Sequence, residues 1–227
     1  MNIVFTGESG TGKKTVANIL AEMYYSMGMV KAKSTVELDK YELMALINRG
    51  MKLEDILSKF AGKVLFIDKM HLLLEEEQCN KVVAELVKFI DKNANKIIIV
   101  LSGEKEGMRR LVLTNEDFNY RFPTWFDFED YDYNGLCDIA INTLNRKSYS
   151  LEREAEVALK KAIIGMYGNP NLVLSNGLMI KQYLDSLIRA QSIRVCDEDL
   201  SKENINVITA EDIITAQDKF LLKNSIK

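Results

Sequence analysis

The feature that most constrains this chain is a glycine-rich loop that follows a short apolar run at residues 2–6. The loop Gly7-Glu8-Ser9-Gly10-Thr11-Gly12-Lys13 fits the pattern G-x-x-x-x-G-K. Apolar residues then recur at helical spacing at Val16, Ile19, Leu20, Met23 and Met27, so the loop joins a strand to a helix. In such a loop, glycines let successive N–H groups face phosphate oxygens, the helix N-terminus adds positive potential, and the lysine reaches the β- and γ-phosphates. We therefore interpret residues 7–15 as a phosphate-binding loop rather than as a turn with a chance lysine.

Apolar strands alternate with helices through the first half of the chain. The strand-like segments are residues 2–6, 36–38, 64–68, 97–101 and 125–128. Between them lie stretches with helical apolar spacing, including one across residues 43–57 and one across residues 82–90. The segments at 64–68 and 97–101 are almost continuously apolar, and apolar strands that alternate with helices are typical of a parallel sheet buried on both faces. We expect an α/β P-loop fold with a five-stranded parallel sheet sandwiched by helices.

The pattern becomes helical after about residue 133. Apolar stripes cover residues 155–166 and 179–188, and no segment has a convincing strand pattern. A further helix starts with Thr209 as its N-cap and Asp212 in the capping-box position. The sequence therefore predicts a nucleotide-binding α/β subdomain at residues 1–132 and a small helical lid at residues 133–227.

Composition excludes several classes of protein. The chain has 227 residues, of which 47% are hydrophobic, enough for a real core and against intrinsic disorder. No apolar run approaches the roughly 18 residues that cross a bilayer, and the N-terminus has no signal-peptide pattern. Three scattered cysteines and one histidine argue against a disulfide scaffold and a His-based metal site. These features predict a cytoplasmic protein without a membrane segment, and the net charge of −3 argues against nucleic acid as its main partner.

One position in the loop departs from its pattern. The residue after Lys13 is usually a Ser or Thr whose hydroxyl ligates Mg²⁺, and here it is Lys14. Thr15 lies about 100° further around the helix, so it cannot simply replace that hydroxyl. An ammonium at this place repels Mg²⁺, although it can add positive charge next to the phosphates.

A second departure follows the apolar strand that ends in Asp68. In many ATPases of this layout such an aspartate holds the water shell of the metal, and a glutamate after it polarises the attacking water. Lys69 takes the place of that glutamate, and a protonated lysine is a poor base. Lys69 is either a solvated strand end or has a specific charge role. His71 is either a substitute base or a structural residue.

These two motifs and several later segments resemble the AAA+ ATPases of the CbbX (CbxX/CfqX) and stage V sporulation protein K type. The later segments are Met108-Arg109-Arg110, Asn115-Glu116-Asp117-Phe118-Asn119-Tyr120-Arg121-Phe122-Pro123, Asp127-Phe128-Glu129-Asp130-Tyr131 and Ile208-Thr209-Ala210-Glu211-Asp212-Ile213. The resemblance covers nearly the whole chain. It implies binding of ATP or ADP with Mg²⁺, an indirect contact of Asp68 to the metal, and ATP-driven hexameric rings that remodel a protein client.

The resemblance also shows which functional groups this chain lacks. Arg121 matches the second arginine of the family segment N-P-G-x-R-S-R-F-P, which supplies an arginine to the neighbouring subunit, and Asn119 replaces the first. Arg121 has either this finger role or a place in a surface or interface ion pair. Leu178 stands where the lid motif G-N-A-R has its arginine. Ser102 best matches the polar residue at the end of the strand before residue 103.

Two further expectations concern the client and the start of the chain. The client-gripping loop of the family has an aromatic residue and a glycine, whereas residues 45–50 contain no aromatic residue and Tyr41 lies ahead of them. Met1 stands directly before the first strand, where the family usually has a segment covering adenine. We expect a domain excised from a longer protein, such as one module of a tandem, or a naturally truncated subunit.

Three functions are compatible with these residues. The first is a nucleotide-binding or pseudo-ATPase module with weak or absent hydrolysis, which regulates or scaffolds a homo- or hetero-oligomeric ring of active AAA+ subunits or a tandem AAA+ domain. The alternative is an active AAA+ motor that hydrolyses ATP and remodels a protein. A different P-loop class, such as a small-molecule kinase, would need an arginine-rich lid, which the sequence does not show.

Overall fold

The central element is a parallel sheet of five strands in the order β2–β3–β4–β1–β5. The strands are β1 (Ile3–Gly7), β2 (Val36–Asp39), β3 (Val64–Asp68), β4 (Ile98–Gly103) and β5 (Thr124–Phe128). The register pairs Gly7 with Phe128 and Asp39 with Asp68, so the carboxyl ends of the strands meet at one edge. The predicted five-stranded parallel sheet is confirmed.

The structure is a computed structural model that describes residues 2–93, 96–113, 116–172, 175–197 and 205–224. Met1 and Asn115, which the sequence interpretation used, lie outside the described residues. Contacts divide the chain into a first unit of residues 1–8 and 12–129 and a second unit of residues 9–11 and 130–227. Among the helices that the structure describes, none is both long and apolar enough to cross a membrane.

Helices cover both faces of the sheet in the first unit. They are α1 (Lys13–Ser26), α2 (Lys40–Asn48), α3 (Leu53–Ser58), α4 (Cys79–Lys92), α5 (Lys105–Leu113) and α6 (Glu116–Arg121), with a 3₁₀ helix at Met70–Glu75. Val4, Leu65 and Ile99 face the core formed with α2 to α6, whereas Phe5 and Phe66 face α1. Trp125 of β5 lies at the edge of the larger core and donates its indole N–H to the Phe122 carbonyl at 3.0 Å. Burial of both faces explains why β1, β3 and β4 read as apolar runs, whereas the edge strands β2 and β5 carry the exposed residues Glu37 and Asp127.

The helical stretch expected at residues 43–57 is two helices. The first, α2, begins with a capping box in which Glu42 N donates to the Asp39 carboxylate at 2.8 Å and Asp39 N donates to the Glu42 carboxylate at 3.1 Å. It ends at Asn48, and Gly50 follows with a φ of 87°. This left-handed conformation favours glycine and ends the helix before α3 begins.

The buried face of α1 differs from the stripe of large apolar residues that indicated the helix. Ile19, Met23 and Met27 are 51%, 53% and 66% exposed, whereas Ala17 and Ala21 are fully buried. Tyr24 is also buried, and Val16 and Leu20 of the predicted stripe pack against the same core. The periodicity therefore identified the helix but only part of its buried side.

The second unit has its own core and four helices among its described residues: α7 (Tyr133–Arg146), α8 (Arg153–Met166), α9 (Asn176–Asp197) and α10 (Ala210–Asn224). Their inner faces meet around residues such as Leu159, Tyr183 and Phe220. This half is helical, as expected, but it also contains one short pair of strands that the sequence pattern did not show. Ser150–Leu151 (β6) and Val207–Ile208 (β7) form a parallel pair, which is too short to produce a detectable period in the sequence.

The start of α10 is fixed by a capped and ion-paired carboxylate. Asp212 accepts hydrogen bonds from Thr209 N at 3.0 Å and Thr209 Oγ1 at 3.1 Å, and its own N–H donates to Thr209 Oγ1 at 3.4 Å. The predicted Thr209 cap is confirmed. Arg194 of α9 also donates to both Asp212 oxygens, at 2.9 and 3.0 Å, and to the Val207 carbonyl at 2.9 Å. One buried carboxylate therefore joins α9, β7 and α10.

Replacing Asp212 with alanine should destabilise the second unit strongly. Asp212 is only 2% exposed, so the change leaves the Arg194 guanidinium without its carboxylate in a largely buried place. We expect the free energy of unfolding to fall by about 3 kcal/mol, measured by urea denaturation. The matched control is Glu54→Ala, which breaks the exposed pair with Lys92 and should cost about 1 kcal/mol or less. Equal losses in the two variants would contradict this prediction.

Candidate functional site

The glycine-rich loop lies between β1 and α1, as the sequence predicts. Gly7, Gly10 and Gly12 have φ values of 141°, 84° and 95°, which side-chain-bearing residues rarely adopt. A Cβ on Gly7 would lie 2.3 Å from the Phe128 carbonyl oxygen of the neighbouring strand. The loop backbone can therefore take its path only with glycine at this position.

Lys13 is the first residue of α1, and its side chain folds back over the loop. Its ammonium donates to the carbonyl oxygens of Gly7 and Glu8, both at 2.7 Å. The residue is only 9% exposed. A nearly buried cation therefore lies next to curled glycine backbone and to the positive end of a helix, an arrangement that attracts phosphate oxygens.

The loop residues Ser9–Thr11 belong by their contacts to the second unit. Within that unit, the Gly177 N–H in the first turn of α9 donates to the Gly10 carbonyl at 3.0 Å. Leu178, placed by the resemblance where a lid arginine would be, follows in the same turn and is half-buried. The structure thus brings residue 178 to the loop, but its side chain carries no charge.

Lys14 is exposed in the first turn of α1 and forms an ion pair with β2. Its ammonium lies 2.6 Å from the Glu37 carboxylate. Thr15 is also exposed. The position where a Mg²⁺-ligating hydroxyl is expected therefore holds a cation that forms an exposed ion pair with Glu37.

Asp68 ends β3, and its carboxylate accepts a hydrogen bond from Lys69 N at 2.9 Å. Lys69 has a left-handed φ of 57°, and its ammonium lies 5.4 Å from the centroid of the Tyr41 ring. Lys40, whose ammonium is 2.6 Å from Glu76, approaches the same ring to 4.7 Å. Lys69 thus has a specific cation–π partner.

A Mg²⁺ ion does not fit the residues at this edge. Asp68 supplies one carboxylate, while Lys14 and Lys69 carry positive charge at the two positions where a hydroxyl and a second carboxylate are expected. Phosphate groups, in contrast, fit the loop backbone and Lys13.

His71 has a structural place. Its Nδ1 accepts a hydrogen bond from Glu104 N at 3.2 Å. Its ring fills the space beside Gly103 and Gly107, where an added Cβ would lie 2.6 Å from a histidine atom. The geometry favours the structural interpretation over that of a substitute base.

Ser102 is fully buried near the end of β4, beside Phe5 of β1 in the sheet register. Its hydroxyl has no hydrogen-bond partner among the described residues. A buried polar atom of this kind usually marks a place that water or a ligand completes. The Ser102 hydroxyl is therefore a candidate contact for a bound group. It is also the residue that best matched the polar strand end of the family in the sequence.

Arg121, at the end of α6, is held in an ion pair within its own unit. Its Nε and Nη2 donate to the two Asp91 oxygens, both at 2.7 Å, and its Nη1 donates to the Asp117 carbonyl at 2.8 Å. The bidentate hydrogen bonds hold the pKa of the Asp91 carboxyl below its ordinary value of 3.8 and raise the pKa of Arg121. Two roles were left open for Arg121, and in this structure it forms the ion pair.

Sequence reasoning missed a polar contact at the carboxyl edge of the sheet. The Asp127 carboxylate of β5 accepts hydrogen bonds from Lys105 Nζ and, at 3.0 Å, from Thr6 Oγ1. The hydrogen bond from Lys105 is the main reason that the pKa of Asp127 lies below its ordinary value. These residues are distant in sequence, and only the sheet register brings them together.

Two family models match this chain. One, the ATPase family associated with various cellular activities (AAA), matches residues 3–122, and the AAA lid domain matches residues 133–221. Stage V sporulation protein K of Bacillus subtilis is 27% identical over 220 residues, which cover 94% of this chain and 68% of that protein. Protein CbbX of Cereibacter sphaeroides is 28% identical over 202 residues, covering 86% of this chain and 64% of that protein.

Solved structures show the same fold at low sequence identity. The crystal structure of the FIGL-1 AAA domain has a TM-score of 0.59 at 16% identity, over 96% of this chain and 70% of that one. The same domain in complex with ADP has a TM-score of 0.52 at 15% identity, over 96% of this chain and 71% of that one. The resemblance to CbbX and stage V sporulation protein K is confirmed. Because the AAA model matches more than half of its residues, the chain belongs to the AAA family of ATPases.

Proposed function

We propose that this chain binds ATP or ADP through its phosphate loop but hydrolyses ATP at or near background. In this proposal it is a regulatory or scaffolding part of a ring-forming AAA+ assembly. The observation that carries the proposal is the pair Lys14 and Lys69, which stand where a hydroxyl and a carboxylate are expected and are engaged by Glu37 and Tyr41.

Retained nucleotide binding is supported by the residues of the loop itself. The three positive-φ glycines and the Lys13 ammonium provide backbone N–H groups and a charge for the phosphates, without help from Lys14 or Thr15. Membership of the AAA family implies that the fold can hold a nucleotide. In this proposal residues 7–13 bind the phosphates, and Lys14 adds positive charge beside them.

Loss of hydrolysis follows from the charges that phosphoryl transfer needs. This reaction depends on positioned water and on positive groups that stabilise the transition state, and each missing group can cost orders of magnitude in rate. A protonated Lys69 cannot accept a proton from water. Leu178 brings no charge to the phosphates, and Arg121 is held by Asp91.

The proposed partner is protein, in the form of a homo- or hetero-oligomeric ring with active AAA+ subunits or a tandem AAA+ domain. A subunit without turnover can still offer a nucleotide-filled surface to its neighbours. An active motor remains the second candidate, favoured by Asp68 at the end of β3 and by the buried Ser102 hydroxyl, which has no partner among the described residues. The two candidates differ in their ATPase rate.

The purified chain should show no more steady-state ATPase activity than the variant Lys13→Ala. It should nevertheless bind a fluorescent ADP analogue, and Lys13→Ala should weaken that binding by about tenfold or more, because it removes a charge-assisted contact. Phosphate release and fluorescence titration, each with and without Mg²⁺, measure the two quantities. A magnesium-dependent rate that disappears in Lys13→Ala would support the motor instead.

The double variant Lys14→Thr and Lys69→Glu should gain magnesium dependence. It supplies the hydroxyl and the carboxylate that the site lacks, so we expect Mg²⁺ to strengthen nucleotide binding or raise turnover by about tenfold. The matched control is Lys59→Thr with Lys88→Glu, which makes the same charge change at two exposed positions, one just after α3 and one within α4. If neither binding nor turnover gains magnesium dependence, these two lysines are not what limits the site.

A further inference from the structure

The start of α9 fits against the phosphate loop with no room for larger side chains. The Gly177 N–H donates to the Gly10 carbonyl at 3.0 Å. A Cβ on Gly10 would lie 2.7 Å from Leu178 N, and a Cβ on Gly177 would lie 2.8 Å from the Gly10 oxygen. Both glycines are therefore required by the same contact.

Asn176 completes this contact from the preceding position. Its side chain donates to Asp130 Oδ1 at 2.8 Å and, more weakly, to the Ser9 carbonyl at 3.5 Å, and its Oδ1 accepts from Tyr131 N at 3.0 Å. Its φ is 52°, a left-handed value that asparagine tolerates better than most residues. It is only 6% exposed, so these bonds are shielded from water.

The contact controls where the N–H groups of the loop point. In a planar trans peptide, the carbonyl of one residue and the N–H of the next point in opposite directions. With the carbonyls of Ser9 and Gly10 turned toward α9, the N–H groups of Gly10 and Thr11 turn away from it. Successive N–H groups on one side of a loop form the arrangement that binds anions.

We propose that Asn176 and Gly177 are positioning residues that hold the peptide groups of the loop in the orientation that binds nucleotide phosphates. This proposal rests on the proposed nucleotide binding, and it gives the start of α9 a role in that binding. In this role α9 acts on phosphate affinity through backbone contacts, without an arginine at position 178.

The test compares Gly177→Ala with Gly165→Ala in α8, where an added Cβ meets only Gln217 at an ordinary 3.5 Å. Alanine is the better helix former, so Gly165→Ala should raise Tm by about 2–4 °C and leave the Kd for the ADP analogue unchanged. Gly177→Ala gains the same propensity but pushes the Gly10 carbonyl away. Its Kd should rise about tenfold while the Tm without nucleotide stays within about 2 °C of the original.

Hydrogen exchange without nucleotide provides the second readout. We expect the amide of residue 177, which donates to the Gly10 carbonyl, to exchange faster in Gly177→Ala. The amide of Tyr131, which donates to Asn176 Oδ1, should exchange faster in Asn176→Gly, which keeps the backbone conformation and loses the side-chain bonds. A Kd within twofold of the original together with unchanged exchange would overturn the proposal. If the original chain fails to bind the ADP analogue, the proposed function fails, and exchange at these two amides alone decides whether α9 holds the loop.

Discussion

The close approach of β1 to its neighbour β5 is the constraint on which the site depends. Gly7 pairs with Phe128 so tightly that a single added carbon would overlap the carbonyl of the partner strand. This approach is possible because β1 lies inside the sheet and its apolar side chains are buried on both faces. The loop therefore begins from a rigid strand, and Lys13 starts the next helix within reach of the strand's last carbonyl.

Several cations of the first unit have partners within that unit. Lys14 pairs with Glu37, Lys40 with Glu76, and Arg121 with Asp91, while Lys69 lies over Tyr41. Each pairing gives its cation a structural contact in the folded conformation. The chain thus keeps the backbone part of nucleotide recognition, whereas its side-chain charges are directed to contacts inside the fold.

Local sequence patterns predicted the helices and strands, whereas the contacts between side chains distant in sequence depend on the three-dimensional fold. The five strands, the loop and the Thr209 cap were predictable because each depends on neighbours in sequence. The buried face of α1 was not fully predictable, because hydrophobicity favours burial of methionine whereas close packing against the sheet favours burial of alanine. The end of α2 at Asn48 was indicated in the sequence by Gly50. Asp91, Asp212 and Lys105 lie 18 to 30 residues from their partners Arg121, Arg194 and Asp127, and no spacing rule identifies these pairs.

The position of Trp125 has a spectroscopic consequence. It is the single tryptophan of the chain, and it lies on β5, in register with Val4 and three residues before the partner of Gly7. Its indole N–H is already bonded to the Phe122 carbonyl. All tryptophan emission therefore originates beside the strand that carries the phosphate loop, so the intrinsic fluorescence of this protein reports the state of β5 and not that of the helical lid.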